Sequence, residues 1–456
     1  MLTERASTNC RCLRTSARAC HSRVYSPVVE TKTVSQMTSL LLLGVVCLVR
    51  AAHASENDPP PTLKLVTSFS LPNPAFLSLY GYASGDGYDL LVSSFSANPL
   101  GTDRVYRVKH VEKFLQKNST QITPQVLTES VVWPNEVTGV YGTFGGRTVA
   151  VAGGFFIPLK ERGTITLIDV SGDTPGKPYV ITDQSEKWFY HRVEWFDMNA
   201  DGHADALTCR AEKPLLGSAK GQLVWFQNEN GLNQSTPWKS HVIAEGPDIF
   251  FESVPYVNTT EGYIQAIFVA QFFSPALKVF WVGTSGNWSD TSKINQRIID
   301  KSIGQVFDVD FCDVNGDENM DLLVTANSAT NGTVWAYEIP RDFRTGVYKR
   351  HLLASGFKSR SGEIGKGAPG SAQLIYTRQE TGYKASILLS GDDAGQAFIL
   401  NPRSEAKDDW TYTVTPFLDA GSGTVGGIDY ADVDRDDHKE IFVPAYNENK
   451  VYIYRA

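Results

Sequence analysis

The stretch Asp197-Met-Asn-Ala-Asp-Gly-His-Ala-Asp205 decides the fold of this chain of 456 residues, because the same design occurs three times. The other copies are Asp313-Val-Asn-Gly-Asp-Glu-Asn-Met-Asp321 and Asp432-Val-Asp-Arg-Asp-Asp-His-Lys-Glu440. We call the three segments loops 1, 2 and 3. Each carries oxygen side chains at positions 1, 3, 5 and 9, a spacing that suits a hard cation such as Ca²⁺.

We therefore predict up to three structural Ca²⁺ ions, with position 7 of each loop contributing its backbone carbonyl. The predicted ligands are Asp197, Asn199, Asp201, His203 and Asp205; Asp313, Asn315, Asp317, Asn319 and Asp321; and Asp432, Asp434, Asp436, His438 and Glu440. An EF-hand is excluded because position 12, which should be Glu, is Thr208, Val324 or Val443. Short apolar runs follow each loop, so the loops join two strands. The alternative is three ordinary acidic turns.

A repeat of nearly sixty residues surrounds the loops. The first Asp of loop 1 lies 116 residues before that of loop 2, which lies 119 residues before that of loop 3. Copies that keep the strand, turn, strand pattern but have lost the carboxylates fill the remaining positions; they are 77–92, 137–152, 254–269 and 371–389. The repeat therefore predicts seven units.

A short apolar pair recurs once per unit, as in Leu65-Val66, Val242-Ile243 and Leu352-Leu353. The first pair stands ahead of the first complete unit, so we expect a strand near 62–69 to complete the last blade and close a ring. With a third strand such as 221–226 in each unit, the pattern predicts an all-β, seven-bladed β-propeller over residues 62–456, with four-stranded blades.

These residues resemble the FG-GAP or VCBS-type calcium-loop propellers, which include the integrin α-subunit head, some fungal lectins and the propeller of fungal sugar dehydratases. The resemblance covers nearly all of 62–456 and is specific only at the three loops. It implies structural cations on the lower rim, between the first and second strands of a blade. Loop 3 departs from the pattern, with Glu440 at position 9 and Asp437 at the turn glycine.

The first 54 residues differ in kind from the rest. Residues 37–49 form a short apolar core, and Ala52-His-Ala54 follows as a small-x-small cleavage pattern, so 37–54 reads as a secretory signal and 55–61 as a linker. Residues 1–36 form a basic leader, which a start codon assigned too far upstream would explain. A type II membrane anchor is the alternative. We expect a secreted chain with no transmembrane span after processing.

Charge and modification sequons agree with an extracellular route. The full chain has a net charge of -8, and residues 55–456 carry 35 Lys/Arg against 48 Asp/Glu, which argues against nucleic acid as a partner. Sequons stand at Asn118, Asn233, Asn258, Asn287 and Asn331, so we expect a glycoprotein. We expect a monomer, with Cys209 and Cys312 as buried thiols; a bridge between them is the alternative.

No nucleophile elbow, P-loop, HExxH or paired-Cys zinc signature is visible. Polar side chains at the starts of innermost strands and after second strands should meet in an upper funnel; they are Asn135, Glu136, His191, Arg192, Arg210, Glu252, Gln271, Gln305, Asp392 and Asp393. Phe155-Phe156 and Phe272-Phe273 are candidates for stacking on a sugar or packing on a partner, and burial of at least one ring of each pair between blades is the alternative. We expect a recognition module for glycan or extracellular protein. A carbohydrate lyase or dehydratase in the same funnel is the alternative, and a solvated funnel without a ligand is the third possibility.

Overall fold

The computed structural model describes residues 63–115, 121–213, 217–284, 286–363, 365–376 and 383–456. The predicted leader, signal, cleavage site and linker, together with the Asn118 sequon, lie outside the described residues. Within them the protein is a seven-bladed β-propeller, and each blade is a four-stranded antiparallel sheet. The fold class predicted from the repeat is therefore confirmed.

Twenty-eight strands build the ring. Those of blades 1 to 3 are β2 (Pro74–Gly81), β3 (Tyr88–Ser94), β4 (Arg104–Val108) and β5 (Gln125–Thr128); β6 (Pro134–Val140), β7 (Thr148–Gly153), β8 (Ile165–Asp169) and β9 (Tyr179–Val180); and β10 (Phe189–Phe196), β11 (Asp205–Glu212), β12 (Lys220–Phe226) and β13 (Ser240–Glu245).

Blades 4 to 6 contain β14 (Phe250–Thr259), β15 (Gly262–Gln271), β16 (Ala276–Trp281) and β17 (Asn295–Asp300); β18 (Gln305–Cys312), β19 (Asp321–Asn327), β20 (Gly332–Glu338) and β21 (Lys349–Phe357); and β22 (Ala372–Ile375), β23 (Ser386–Ser390), β24 (Gln396–Pro402) and β25 (Tyr412–Asp419). Blade 7 contains β26 (Asp429–Ala431), β27 (Glu440–Ala445), β28 (Lys450–Arg455) and, from the start of the chain, β1 (Lys64–Ser70).

The ring is closed by β1, which pairs antiparallel with β28 from Lys64 opposite Arg455 to Ser70 opposite Lys450. Strand β1 is the outermost strand of blade 7, so the phase offset of the first apolar pair correctly predicted the closure. The structure begins this strand at Lys64, and Thr62 lies outside the described residues. The pairing covers the β28 edge that would otherwise be left unpaired.

The core lies between adjacent blades, because both faces of the middle strands are covered. All six residues of β7 and all seven of β19 are buried, and their Val, Leu and Ala side chains pack against the neighbouring blades. The outer strands alternate instead: Val126 is exposed and Leu127 buried in β5, and Leu352 is exposed and Leu353 buried in β21. Such one-sided burial is the ordinary pattern of a sheet edge facing water.

Cys209 and Cys312 are buried free thiols, as predicted, in β11 and β18. His241 and His351 lie on the outer strands β13 and β21, and each imidazole stacks on a tryptophan, Trp225 or Trp410, with ring centroids 4.1 Å apart. Among the described residues, no helix is long and apolar enough to cross a membrane.

Candidate functional site

Loops 1, 2 and 3 are the hairpins between the first and second strands of blades 3, 5 and 7, and the side of the ring that carries them is the lower face. The three loops share a backbone course, with left-handed residues at positions 4 and 6. The φ values are 61° at Ala200, 74° at Gly316 and 60° at Arg435, and 89° at Gly202, 71° at Glu318 and 70° at Asp437. Position 6 is therefore left-handed whether or not it is glycine, and Asp437 does not alter the turn.

Hydrogen bonds within each loop hold that course. In loop 1, Asp197 accepts the backbone N–H of Asp201 at 3.1 Å and of Gly202 at 2.9 Å. Asp313 and Asp432 accept the same two N–H groups in loops 2 and 3. The Asn199 side chain meets that of Asp201 at 2.8 Å. The turn thus gathers the oxygen side chains of positions 1, 3 and 5 on a short arc of backbone, the donor set that Ca²⁺ prefers.

Position 9 is buried in all three loops, with Asp205, Asp321 and Glu440 exposed by 2% or less. Burial raises the pKa of each to about 7, against the lowering effect of a backbone N–H from position 2. A buried carboxylate beside other acids costs free energy unless a cation compensates for it. The donor residues of the three loops are therefore of the types that a bound divalent ion requires.

In loop 3, oxygens of the predicted ligands Asp432, Asp434 and Glu440 lie within 4.8 Å of one another, as in a metal cage. The spacing of the loop residues did not indicate a further side chain that lies beside them. The Arg455 guanidinium, from β28, already contacts this group: Nε donates to Glu440 at 2.8 Å and Nη2 to Asp434 at 2.7 Å. Its Nη1 lies 2.9 Å from Asp436.

The upper face carries the connections between blades and the hairpins between second and third strands. In four first strands the pairing with the second strand is interrupted near this face. The residues skipped are 75–76 in β2, 135–136 in β6, 191–192 in β10 and 307 in β18. Such irregularities re-aim side chains, and these residues build the centre of the ring.

Arg192 contacts several blades in the central channel, which is the space enclosed by the innermost strands. Its Nε donates to Glu136 of blade 2 at 3.1 Å and Nη1 donates to the Phe251 carbonyl of blade 4 at 2.9 Å, while Nη2 lies 3.7 Å from Asp308 of blade 5. The nearby carboxylates, Glu136 first, raise the pKa of Arg192 against the effect of burial. One guanidinium on blade 3 therefore ties together three other blades, and it stays charged.

Further carboxylates line the same channel. Glu194, two residues after Arg192, accepts the N–H and the hydroxyl of Ser253 at 3.0 and 2.5 Å. Burial, and then the negative charge of Glu252, raise the pKa of Glu194. The cavity beside Arg192 has only about 10 Å³ for the centre of a water molecule, about enough for one water. This cavity is too small to admit a sugar.

Aromatic rings cover the upper end of the channel. His191 lies 5.1 Å from Phe76, 4.3 Å from Phe250 and 6.4 Å from Phe307, centroid to centroid. We call these four residues the aromatic cap. The His191 ring is 8% exposed, and burial lowers its pKa to about 3. It is a neutral ring packed among phenylalanines.

A row of rings extends from the cap across the upper face, through the half-buried Phe272, Phe273, Phe156, Phe155 and Phe95 and the buried Trp133. We call these six residues the aromatic row. Phe272 lies 6.2 Å from Phe307, Phe156 lies 5.2 Å from Phe273, and Trp133 stacks between Phe155 and Phe95 at 4.9 and 4.0 Å. The row joins loops of blades 1, 2 and 4.

The ten predicted funnel residues do not form one open site. Glu136, His191, Arg192 and Glu252 meet in or above the channel, all buried. Asn135 bonds the carbonyls of Gly154 and Tyr190, Arg210 bonds Gln222 and Glu186, and buried Gln271 bonds Ser274. Asp393 is held by Lys366 at 3.0 Å. Gln305 is exposed and Asp392 half-buried, so only these two offer side chains to an upper-face ligand.

Sequence reasoning missed Glu194, Asp308 and Asp310 in the channel, Phe76, Phe250 and Phe307 in the cap, and Arg455 at loop 3. One signal could have found part of this set: Arg192 with Glu194, and Asp308 with Asp310, are charged pairs two residues apart on innermost strands. Residues at that spacing face the same side of a strand.

Comparison with known proteins does not place the chain in a family. No family model and no curated protein matches the chain. The solved structures it resembles include the Dos1 propeller (10% identity, 86% of this chain and 95% of that chain, TM-score 0.44) and the N-terminal domain of Nup159 (11%, 86% and 94%, TM-score 0.47). A glucose dehydrogenase is similar at 9% identity over 72% of this chain and 97% of that chain, TM-score 0.41.

Proposed function

We propose that this protein is a secreted, calcium-stabilised recognition module that binds a glycan or an extracellular protein on its upper face. The observation that carries the proposal is the aromatic row. Half-buried rings from three blades run together along the loops where propellers commonly bind ligands. An apolar strip among polar loops is typical of a binding surface.

The ligand surface is the row rather than the funnel proposed from the sequence. Below the cap the channel has room for about one water, so a sugar must lie across the rings. Gln305 and Asp392 stand at the same face and offer polar groups to such a ligand. Flat rings with polar neighbours suit stacking on a sugar as well as packing against a protein.

No observation favours the lyase or dehydratase alternative. A general acid or base must reach a substrate proton and titrate near the working pH. The His191 imidazole lies among phenylalanines with a pKa of about 3, and its Nδ1 is buried without a hydrogen-bond partner. The neighbouring Arg192 is held in the channel by Glu136. Binding therefore remains the better proposal.

Calcium and secretion complete the proposal. The oxygen donors and the buried position-9 carboxylates of loops 1 and 2 support a bound divalent ion that stiffens the lower hairpins. At extracellular calcium, ions bound with dissociation constants of roughly 10⁻⁴ to 10⁻³ M would add about 1 kcal/mol each. The apolar segment 37–49, the following Ala-His-Ala and the sequons support export.

A double substitution in the row tests the binding proposal. We expect the secreted protein to be retained on a glycan array or on displayed extracellular proteins, and Phe156→Ser with Phe273→Ser to weaken retention at least tenfold. The matched control is Tyr256→Ser with Tyr263→Ser, which removes two exposed rings from the lower face. Equal loss in both variants, or no retention on either array, would contradict the proposal. Unchanged melting temperatures would show that both variants fold.

A further inference from the structure

The Arg455 guanidinium contacts the side chains at positions 3, 5 and 9 of loop 3. These are Asp434 at 2.7 Å, Asp436 at 2.9 Å and Glu440 at 2.8 Å. They are three of the four carboxylates that the repeat assigns to a cation. Since each guanidinium nitrogen has its own partner, the positive charge lies where a bound ion would otherwise compensate for these oxygens.

The strand register explains why loop 3 alone has this partner. Arg455 of β28 is directly opposite Glu440, position 9, in the antiparallel pair. The same place in blade 5 holds Glu338, opposite Asp321. In blade 3, Ala206 is opposite Phe226. Continuing this register by one residue places the neutral Gln227 opposite Asp205, which is position 9 of loop 1. An arginine, an acid and an amide thus occupy one structural position in the three loops.

The surroundings fix the arginine in this place. Glu440 is fully buried, so its carboxylate must be paired. After Arg455 the backbone folds onto the loop, where the Ala456 N–H donates to the Lys439 carbonyl at 2.9 Å and the Ala456 carbonyl meets the His438 ring at 3.1 Å. On the far side of β28, Lys64 of β1 is opposite Arg455. The side chain therefore projects from a strand paired on both edges.

Loop 2 has a weaker counterpart. The Lys407 chain crosses this loop, with its carbonyl accepting from Asn315 at 2.9 Å and its Nζ close to Gly316. An ammonium on a flexible stem is a single point charge, whereas a guanidinium binds several carboxylates in fixed directions. A calcium ion can displace the first far more easily than the second.

We propose that Arg455 is the built-in cation of loop 3, so that this loop is held without metal and calcium binds at loops 1 and 2 only. The inference rests on the calcium part of the proposed function for the two other loops. The remaining Asp434 oxygen, Oδ1, is buried without a hydrogen-bond partner. It becomes available to an ion once the guanidinium is removed.

Calcium titration of the chelator-stripped, full-length secreted protein tests the proposal by isothermal calorimetry. We expect two ions for the wild type and three for Arg455→Gln, which keeps the side-chain length without the charge. Asp201→Asn and Asp317→Asn should each lose one ion, whereas Asp434→Asn should still bind two. In the Arg455→Gln background, Asp434→Asn should return the count from three to two.

Three ions in the wild type, falling to two in Asp434→Asn, would overturn the inference, as would two ions in Arg455→Gln. Melting in chelator separates this failure from failure of the calcium proposal. There we expect Arg455→Gln to melt at least 5 °C below the wild type, with calcium restoring much of the difference. If the wild type binds no ion, the calcium proposal fails; an unchanged melting temperature in chelator would contradict the role of Arg455 itself.

Discussion

At the scale of single residues, the burial of charge in the channel governs how the ring responds to pH. Five carboxylates of the innermost strands lie around one arginine; they are Glu136, Glu194, Glu252, Asp308 and Asp310. Arg192 ties the blades only while its partner carboxylates are ionised. Burial, and then the negative charge of Glu252, raise the pKa of Glu194 in the same channel.

The pKa of Glu194 gives a pH prediction with a definite sign. Because the folded pKa exceeds the unfolded value, the folded state holds a proton that the unfolded state releases, so stability falls as pH rises above the ordinary glutamate range. One such proton changes the free energy of unfolding by at most about 1.4 kcal/mol per pH unit. We expect Glu194→Gln to flatten this slope in urea unfolding between about pH 5 and 8. An unchanged slope would contradict the assignment.

The single-residue scale is also where the sequence predicted least. The spacing of Asp and Asn predicted the turns of loops 1 to 3, because the hydrogen bonds that hold these turns are local. It could not predict that Arg192 reaches Glu136, 56 residues away, or that Arg455 enters loop 3. Both depend on strand register, which a hydrophobic pattern specifies only to within a choice of face. The hydrogen-bond partners of the funnel residues Asn135 and Arg210 could not be predicted for the same reason, since these partners lie on other strands.

At the scale of elements, the β14–β15 hairpin stands out by its length, with ten residues in each strand. It occupies the lower-face position that loops 1 to 3 occupy in their own blades, but its turn consists of Thr260 and Glu261. Tyr256 and Tyr263 project from it with 72% and 64% of their surface exposed and rings 6.2 Å apart. Neighbouring aromatic side chains with this much exposed surface are typical of a site that another molecular group covers.

A glycan at the sequon on this hairpin would supply such a cover. Asn258 is exposed and directly opposite Tyr263, so a glycan on its amide would lie against the two rings. In contrast, Asn287 donates its amide to the Asn199 carbonyl of loop 1 at 2.9 Å, so a glycan on that nitrogen would have to fit against the loop. For protein expressed through a secretory pathway, we expect glycopeptide mass spectrometry to find Asn258 more than 80% occupied and Asn287 less than 10% occupied. The reverse ranking would refute this prediction.

Element positions followed well from the sequence. The apolar pairs predicted the outer strand of every blade, and the degenerate copies predicted the hairpins that lack carboxylates, because both signals come from alternating burial along a strand. The interruptions in the first strands carried no such signal. A skipped residue such as Phe76 or Phe307 looks in sequence like any other strand residue, yet it forms part of the aromatic cap.

At the scale of the whole molecule, stability depends on closing the ring. The six pairs between β1 and β28 join the two ends of the described chain, and only Phe69 of β1 is buried, so backbone hydrogen bonds dominate this contact. At ~1 kcal/mol net for each bond, the strand contributes on the order of 3–6 kcal/mol. Without it, β28 would present an open edge to other molecules.

Truncation tests that contribution. We expect a variant that begins at Leu71 to unfold at lower urea concentration and to form soluble aggregates, because the unpaired edge of β28 can add a foreign strand. A variant that begins at Leu63, which keeps β1, is the matched control and should match the full chain. Size-exclusion chromatography and urea unfolding give the answer. Equal stability of the two truncations would show that the ring does not depend on its closing strand.

The meeting of β1 with β28 also sets the order in which the protein can be made. The ribosome produces β1 before any other described strand and β28 after all of them, so the first segment waits, without its partner, through the synthesis of six complete blades. Loop 3 likewise acquires its arginine only when β28 has emerged. The ring can therefore close only at the end of synthesis, when β28, the last strand, pairs with β1, the first.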